Sequence, residues 1–365
     1  MSVLENKFMQ VIALVVGVFM VSVVPLAAFS PTFIVGTSAE YSDYSEYNST
    51  IWYDLYGIGS WRTAFDGGGY AALNGNATLE YNPQSGVTQD EENLDVAVGL
   101  PFTGGTMLFE TGFNSTLDNS SYGTTFRPKW SGKYTYSPGS SSRKVVEPYI
   151  EYSGYYVYQE LGVEDRSSHS ASLGLSYDPS IKIGYRLEAS GTAEFYGEDY
   201  TQNLSDTYVL QGEANRQDII AAGEAEITGL AGYFADWSLR LNGGKRISND
   251  EEYLSEANLK KDGTDAVFGE VEGSFSWSPT RELQLSSLLY TQGRRYTDRK
   301  ALDENEFPTT EELTQLDVGG GLEADWTPND QIFFVLRGSA GKTFSNDPNY
   351  DTWNFSISGG IEYGF

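Results

Sequence analysis

The chain has no cysteine and one histidine, and its 23 lysines and arginines are set against 51 aspartates and glutamates. Without thiols there is no disulfide framework and no thiolate zinc site, a usage that suits a secreted bacterial protein. A formal net charge of −28 argues against nucleic acid as a partner, because phosphate binding needs clustered Lys and Arg. Long apolar runs are missing after residue 28, and a mean hydropathy of −0.38 excludes a bundle of membrane helices. Nor is there a helical period anywhere after residue 40. The chain does hold 26 Tyr, 40 Gly and 14% aromatic residues, far more aromatic content than a disordered acidic chain carries.

The final stretch, DTWNFSISGGIEYGF (351–365), alternates. Trp353, Phe355, Ile357, Gly359, Ile361, Tyr363 and Phe365 form one series, and Thr352, Asn354, Ser356, Ser358, Gly360, Glu362 and Gly364 the other. Successive side chains on a strand point to opposite faces, so this is a strand with one oily and one polar side. The same grammar recurs upstream. Ile181, Ile183, Tyr185, Leu187, Ala189, Ala193 and Phe195 oppose Lys182, Arg186, Glu188 and Glu194; Val267, Val271, Phe275 and Trp277 oppose Glu270 and Glu272. Leu316, Val318, Leu322, Ala324 and Trp326 oppose Asp317, Glu323 and Asp325, and fainter copies begin at residue 69. A polar face this rich in charge cannot be the inside of a sandwich, whose inner faces must both be apolar. Turned inside out, with the apolar face to lipid and the charged face to a hydrated interior, every backbone group is paired and no edge is open.

The connections are sided. YSPGS, YDPS, WSPT and WTPN are tight turns with an aromatic two residues before Pro138, Pro179, Pro279 and Pro328; longer acidic loops fall between them. Short periplasmic turns and long outer loops are the outer-membrane arrangement. The apolar run 11–28, VIALVVGVFMVSVVPLAA, follows Lys7 and reads as a secretory signal peptide, with cleavage after Ala28 or, preferred, after Ala39; an uncleaved anchor helix is the other reading.

A terminal Phe preceded by hydrophobic residues at alternate positions, here Phe365, Tyr363, Ile361 and Ile357, resembles the C-terminal targeting signature of Gram-negative outer-membrane β-barrels of the porin-like type. The resemblance implies the bacterial outer membrane as location, and the barrel assembly machinery and lipopolysaccharide as partners. The expected fold is all-β, a transmembrane antiparallel up-and-down barrel of about 14 strands, with 12 or 16 as alternatives. The expected organisation is a signal peptide at 1–39, an N-terminal segment at 40–68 and a barrel at 69–365. Within 40–68, Trp52, Tyr53, Leu55, Tyr56 and Ile58 suit either a plug or further strands. Tyr81-Asn82-Pro83 resembles the periplasmic turns but falls where parity wants an outer loop.

Catalytic constellations are poorly represented. Barrel hydrolases place a Ser two residues from a His on one strand face, but Ala171 stands two residues after His169, and Ser170 and Ser172 face the other way. Only Glu164 and Asp165 are near His169 as carboxylates. Asp90-Glu91-Glu92, Asp250-Glu251-Glu252 and Asp303-Glu304-Asn305-Glu306 lack EF-hand spacing and read as solvated loops. No enzyme activity and no cofactor or metal are expected.

Inward-facing charge is then the informative feature. Acids expected inside include Glu188, Glu270, Glu272, Asp317, Glu323 and Asp325; bases include Arg186, Arg240 and Arg337, with Arg127, Lys129, Lys133, Lys182 and Arg294. Acids outnumber bases, and a ring of one sign in a confined pore selects the opposite ion. The expected function is a porin-like channel for small hydrophilic solutes or ions, with cation preference. The alternatives are a non-transporting structural or adhesive surface barrel, an outer-membrane enzyme, or a hydrophobic-substrate transporter.

Overall fold

In the computed structural model the described residues are 32–364, apart from 45–46, 66, 83–85, 119–122, 138–145, 160–164, 201–214, 249–252, 255–258, 261–264, 304–307 and 330. The chain runs through β1 (Thr32–Tyr44), β2 (Tyr47–Ala64), β3 (Tyr70–Asn82), β4 (Gly86–Phe102), β5 (Gly105–Asp118), β6 (Gly123–Tyr136), β7 (Val146–Gln159), β8 (Arg166–Ser180), β9 (Ile183–Tyr200), β10 (Asn215–Leu230) and β11 (Ala235–Ser248). The pair β12 (Tyr253–Leu254) and β13 (Leu259–Lys260) forms a small separate hairpin. The wall resumes with β14 (Ala266–Trp277), β15 (Leu283–Leu302), β16 (Pro308–Asn329), β17 (Ile332–Ser345) and β18 (Trp353–Gly364). Each wall strand pairs antiparallel with its neighbours in the chain, β11 pairs with β14 across the small hairpin, and β1 closes the sheet on β18 from Ile34↔Gly364 to Tyr44↔Asn354.

The closed barrel therefore has sixteen strands, where the alternation predicts about fourteen. All fourteen segments read from the sequence are present, and β1 and β2 are the additional two. Residues 40–68 lie in the end of β1, in β2 and in the turn to β3, so Tyr53 and Leu55 are half-exposed on the outer wall and do not form a plug. The barrel begins at Thr32 and not at 69. β1 escapes the sequence reading because Thr37, next along the outward face after Val35, is small and the strand directly follows the apolar leader run. The leader itself, 1–31, lies outside the described residues, as does Phe365.

Both ends of the wall sequence lie on the side of the tight turns. There Gly104 (φ 73°) and Gly232 (φ 87°) take the left-handed conformation that a side chain disfavours. The longer connections join the strands on the opposite side, where β3 also ends at Asn82.

Outward side chains are apolar and exposed along every wall strand: Leu173 and Leu175, Leu187, Leu239 and Leu241, Leu322, Ile357 and Ile361 among them. Aromatic residues mark both rims. Trp326 stacks on Phe334 (centroids 5.2 Å) and Tyr177 on Tyr185 (6.3 Å) beside the tight turns, while Phe113 meets Phe126 (5.5 Å) toward the loop side. On β18 the belt residues Trp353 and Tyr363 are ten positions apart. That is about 33 Å along a strand and about 25 Å along the axis at a tilt near 40°, the height of an outer-membrane apolar band.

Candidate functional site: the inner wall

Inward positions carry small hydroxyl residues and charges. Ser238 bonds Ser274 (2.7 Å), Ser276 bonds Ser286 (3.0 Å) and Ser339 bonds Ser356 (2.8 Å), each across neighbouring strands. Sixteen strands spaced about 4.8 Å and tilted about 40° enclose a backbone cylinder of about 16 Å radius, in the size range where a water-filled channel remains.

The charges separate by height. In the half beside the tight turns, three to eight residues from them, runs a girdle dominated by carboxylates. Arg186 reaches Glu224 at 2.9 Å, Glu188 at 3.6 Å and Glu226 at 3.9 Å. Arg240 reaches Glu272 at 2.9 Å and Glu270 at 3.4 Å. Arg337 Nε donates to Glu323 at 2.5 Å, with Asp325 two residues on. Glu362 accepts from Tyr56 Oη at 2.7 Å, and Glu188 accepts from the Tyr149 hydroxyl. Further round, Lys133 pairs with Glu151 (3.1 Å) and Lys129 with Asp95 (2.8 Å). Asp317 stands higher on β16 and accepts from Thr343 Oγ1 at 2.6 Å.

All nine pore-lining residues chosen from the sequence thus sit on the inner wall. What alternation within one strand misses is the neighbour. Glu270 and Glu272 share Arg240 from β11, and Glu323 has Arg337 from β17, so these carboxylates are partly neutralised across strands. The surplus survives the pairing. From β9 to β18, three arginines (186, 240, 337) face eight carboxylates (188, 224, 226, 270, 272, 323, 325, 362). These side chains are part-exposed on the inner wall, so each pair contributes little stability, about 0–1 kcal/mol. Lys182 lies in the tight turn after β8, not on the wall.

Toward the loop side of β6 to β11, arginines gather among tyrosines. Arg127 lies over the Tyr155 ring at 3.8 Å from its centroid, Arg166 faces Tyr155 and Tyr196 at 5.8 and 6.0 Å, and Arg216 covers Tyr196 at 4.6 Å. The buried Asp218 is held by Arg216 (3.0 Å), by Arg246 and by the Ser248 hydroxyl, and Arg246 also meets Glu194 at 3.3 Å. Arg166, Arg216 and Arg246 are missed by the sequence reading. The first two stand at strand ends, where alternation is shortest, and their aromatic partners come from other strands.

His169 faces outward among Trp130, Tyr152 and Phe195. Glu91 accepts from Asn93 and Asn114 (3.0 and 2.7 Å), and among the described residues no group of three His, Asp or Glu side chains could hold a metal. The clusters at 250–252 and 304–306 lie outside the described residues. Ile357, Ile361 and Tyr363 are exposed on the outer wall.

No family profile matches the chain, and no characterised protein matches it in sequence. Solved structures do match it in fold. CdiB from Escherichia coli has 14% identity and a TM-score of 0.53 over 93% of this chain and 64% of that one. OmpT of Vibrio cholerae, expressed in the outer membrane, has 10% identity and a TM-score of 0.50 over 94% of this chain and 99% of that one. CdiB from Acinetobacter baumannii has 11% identity and a TM-score of 0.49, and this chain spans 60% of its length. The fold is that of the bacterial outer-membrane β-barrels.

Proposed function

We propose that this protein is an outer-membrane channel through which small hydrophilic solutes diffuse, with a preference for cations. The observation that carries the reading is the girdle: on β9 to β18 of a sixteen-strand wall, eight inward carboxylates stand against three arginines. Carboxylates in confinement lower the energy of a passing cation and raise that of an anion. The apolar outer wall, bounded by two aromatic belts, suits a bilayer with lipopolysaccharide in its outer leaflet. The alternation ending at Ile357, Ile361 and Tyr363 suits handling by the barrel assembly machinery. No cofactor and no catalysis enter this reading.

A second reading, a surface barrel without transport, draws support from the loop side. β15 and β16 are the longest strands, with 20 and 22 residues. Beyond them Asp347 accepts from Leu302 N (2.9 Å) and Asn349 N (3.0 Å), fixing the loop after β17 against their outer ends. Conductance of the refolded protein in a planar bilayer separates the two: discrete channels with cation selectivity support transport, and a silent barrel supports surface presentation.

A further inference from the structure

The girdle accounts for the periplasmic half of the lumen and leaves the arginine–tyrosine belt of the outer half without a role. Four guanidinium groups there (Arg127, Arg166, Arg216, Arg246) face two carboxylates (Glu194, Asp218). Asp218 is held by Arg216 and Arg246, while Glu194 meets Arg246 at 3.3 Å and accepts from the Tyr155 and Tyr196 hydroxyls at 3.3 and 3.1 Å. Among the described residues neither Arg127 nor Arg166 has a carboxylate within ion-pair distance; Arg127 lies on the Tyr155 face, and Arg166 stands farther out, 5.8 and 6.0 Å from the Tyr155 and Tyr196 centroids, with its side chain bonded to the Tyr196 hydroxyl.

Their register places them together. Val157 of β7 lies opposite Arg166 of β8, and Arg166 lies opposite Tyr196 of β9. Lys129 of β6 lies opposite Tyr155 of β7, which sets Arg127 at the same height, two positions nearer the loops. Tyr155 is thus flanked by Arg127 on one side and Arg166 on the other. A guanidinium stacked on a ring, as Arg127 is on Tyr155, keeps its planar edge of N–H donors free, and that edge matches the two oxygens of a carboxylate; Arg166, bonded to the Tyr196 hydroxyl, has further N–H donors beside it. The ring also fixes the side chain, so less rotamer freedom is lost on binding.

We infer that Arg127 and Arg166, braced by Tyr155 and Tyr196, form a binding site for solutes bearing a carboxylate in the outer half of the lumen. The inference rests on the channel reading for its route of access. A simple carboxylate captured here still meets the acidic girdle below. It should therefore dwell and obstruct, and obstruct more from the loop side than from the turn side, where the girdle meets it first.

The test uses the refolded full barrel and benzoate. Calorimetry in detergent reports binding whether or not the barrel conducts, and planar-bilayer recording reports block from each side. Saturable benzoate binding is expected, with block stronger from the loop side. R127Q/R166Q should weaken binding by roughly tenfold or more, while R127K/R166K, which keeps charge and loses the planar fork, should recover only part of it. K245Q, on the outer face of β11, should leave binding unchanged. Unaltered heat-dependent migration on SDS gels confirms that each variant folds. A conducting wild type that binds no benzoate, or benzoate affinity indifferent to R127Q/R166Q, overturns the inference and leaves the channel reading intact. Benzoate binding without conductance retains the site and removes the channel.

Discussion

Tyr152 Oη and His169 Nδ1 stand 2.8 Å apart on the outward face of β7 and β8, beside the rings of Trp130 and Phe195. The one histidine of the chain is an interfacial belt residue, with its polar edge satisfied by a phenol and its ring packed among aromatics. Replacing it with Phe removes one hydrogen bond and keeps the ring. The H169F variant should keep wild-type conductance and differ in stability by about 1 kcal/mol or less, read as the temperature at which the fast-migrating gel band converts to the slow one. Loss of a catalytic activity of the barrel on H169F would give this residue an enzymatic role instead.

The first strand makes a prediction about processing. β1 pairs with β18 on one side and with β2 on the other, and residues 32–39 alone cover positions 53–60 of β2. Cleavage after Ala39, the site preferred from the sequence, removes those residues and leaves both neighbours with unpaired backbone in lipid, which barrels do not tolerate. The membrane form should therefore begin upstream of Thr32, as cleavage after Ala28 gives. Mass spectrometry of the intact membrane protein decides it, and a mature chain starting at Glu40 contradicts the closure described.

Glycine positions test the inner wall. A Cβ at Gly174 would run into the Tyr149 ring, which lies across it and carries its hydroxyl to Glu188. G174V should displace the ring and cost about 1–3 kcal/mol, seen as a lower gel-shift temperature. G191V, where nothing lies within 4 Å of the added carbon, should cost far less. Equal losses at both sites would show that the rings are not seated as described.

Much of this architecture is legible in the sequence because a membrane barrel writes its two environments onto alternate residues. Val267, Val271, Phe275 and Trp277 against Glu270 and Glu272 give strand, face and length at once. Tyr81 and Asn82 end β3 and pair with Val87 and Gly86 of β4, so the turn-like look of this stretch marks a strand end on the side opposite the tight turns. What alternation does not carry is relation between strands. Arg240 is 30 residues from Glu270, and Arg246 is 28 from Asp218. A count of inward acids and bases therefore misses which charges share a height. β1 is hidden for a different reason: Thr37 and Ala39 satisfy the small-residue spacing of a cleavage site, and Thr37 suits the outward face of a strand equally well.

Arg240 should act on the field of the pore and not on its fold. R240Q frees Glu270 and Glu272 from their shared partner, so cation preference should rise while the gel shift stays near wild type. The rise should be largest at 0.1 M salt, where the Debye length is about 10 Å, and fade by 1 M, where it is about 3 Å. An increase toward anions on R240Q would mean that other charges control the lumen.

The central claim is that the carboxylate girdle sets the selectivity of an open barrel, and a reversal potential across a planar bilayer under a salt gradient tests it most directly. The wild type should conduct with a potential of cationic sign. The combined variant E270Q/E272Q/E323Q/D325N should conduct as well and shift several-fold toward chloride permeability at low salt. A barrel that forms no channels, or channels whose reversal potential ignores these four substitutions, contradicts the account.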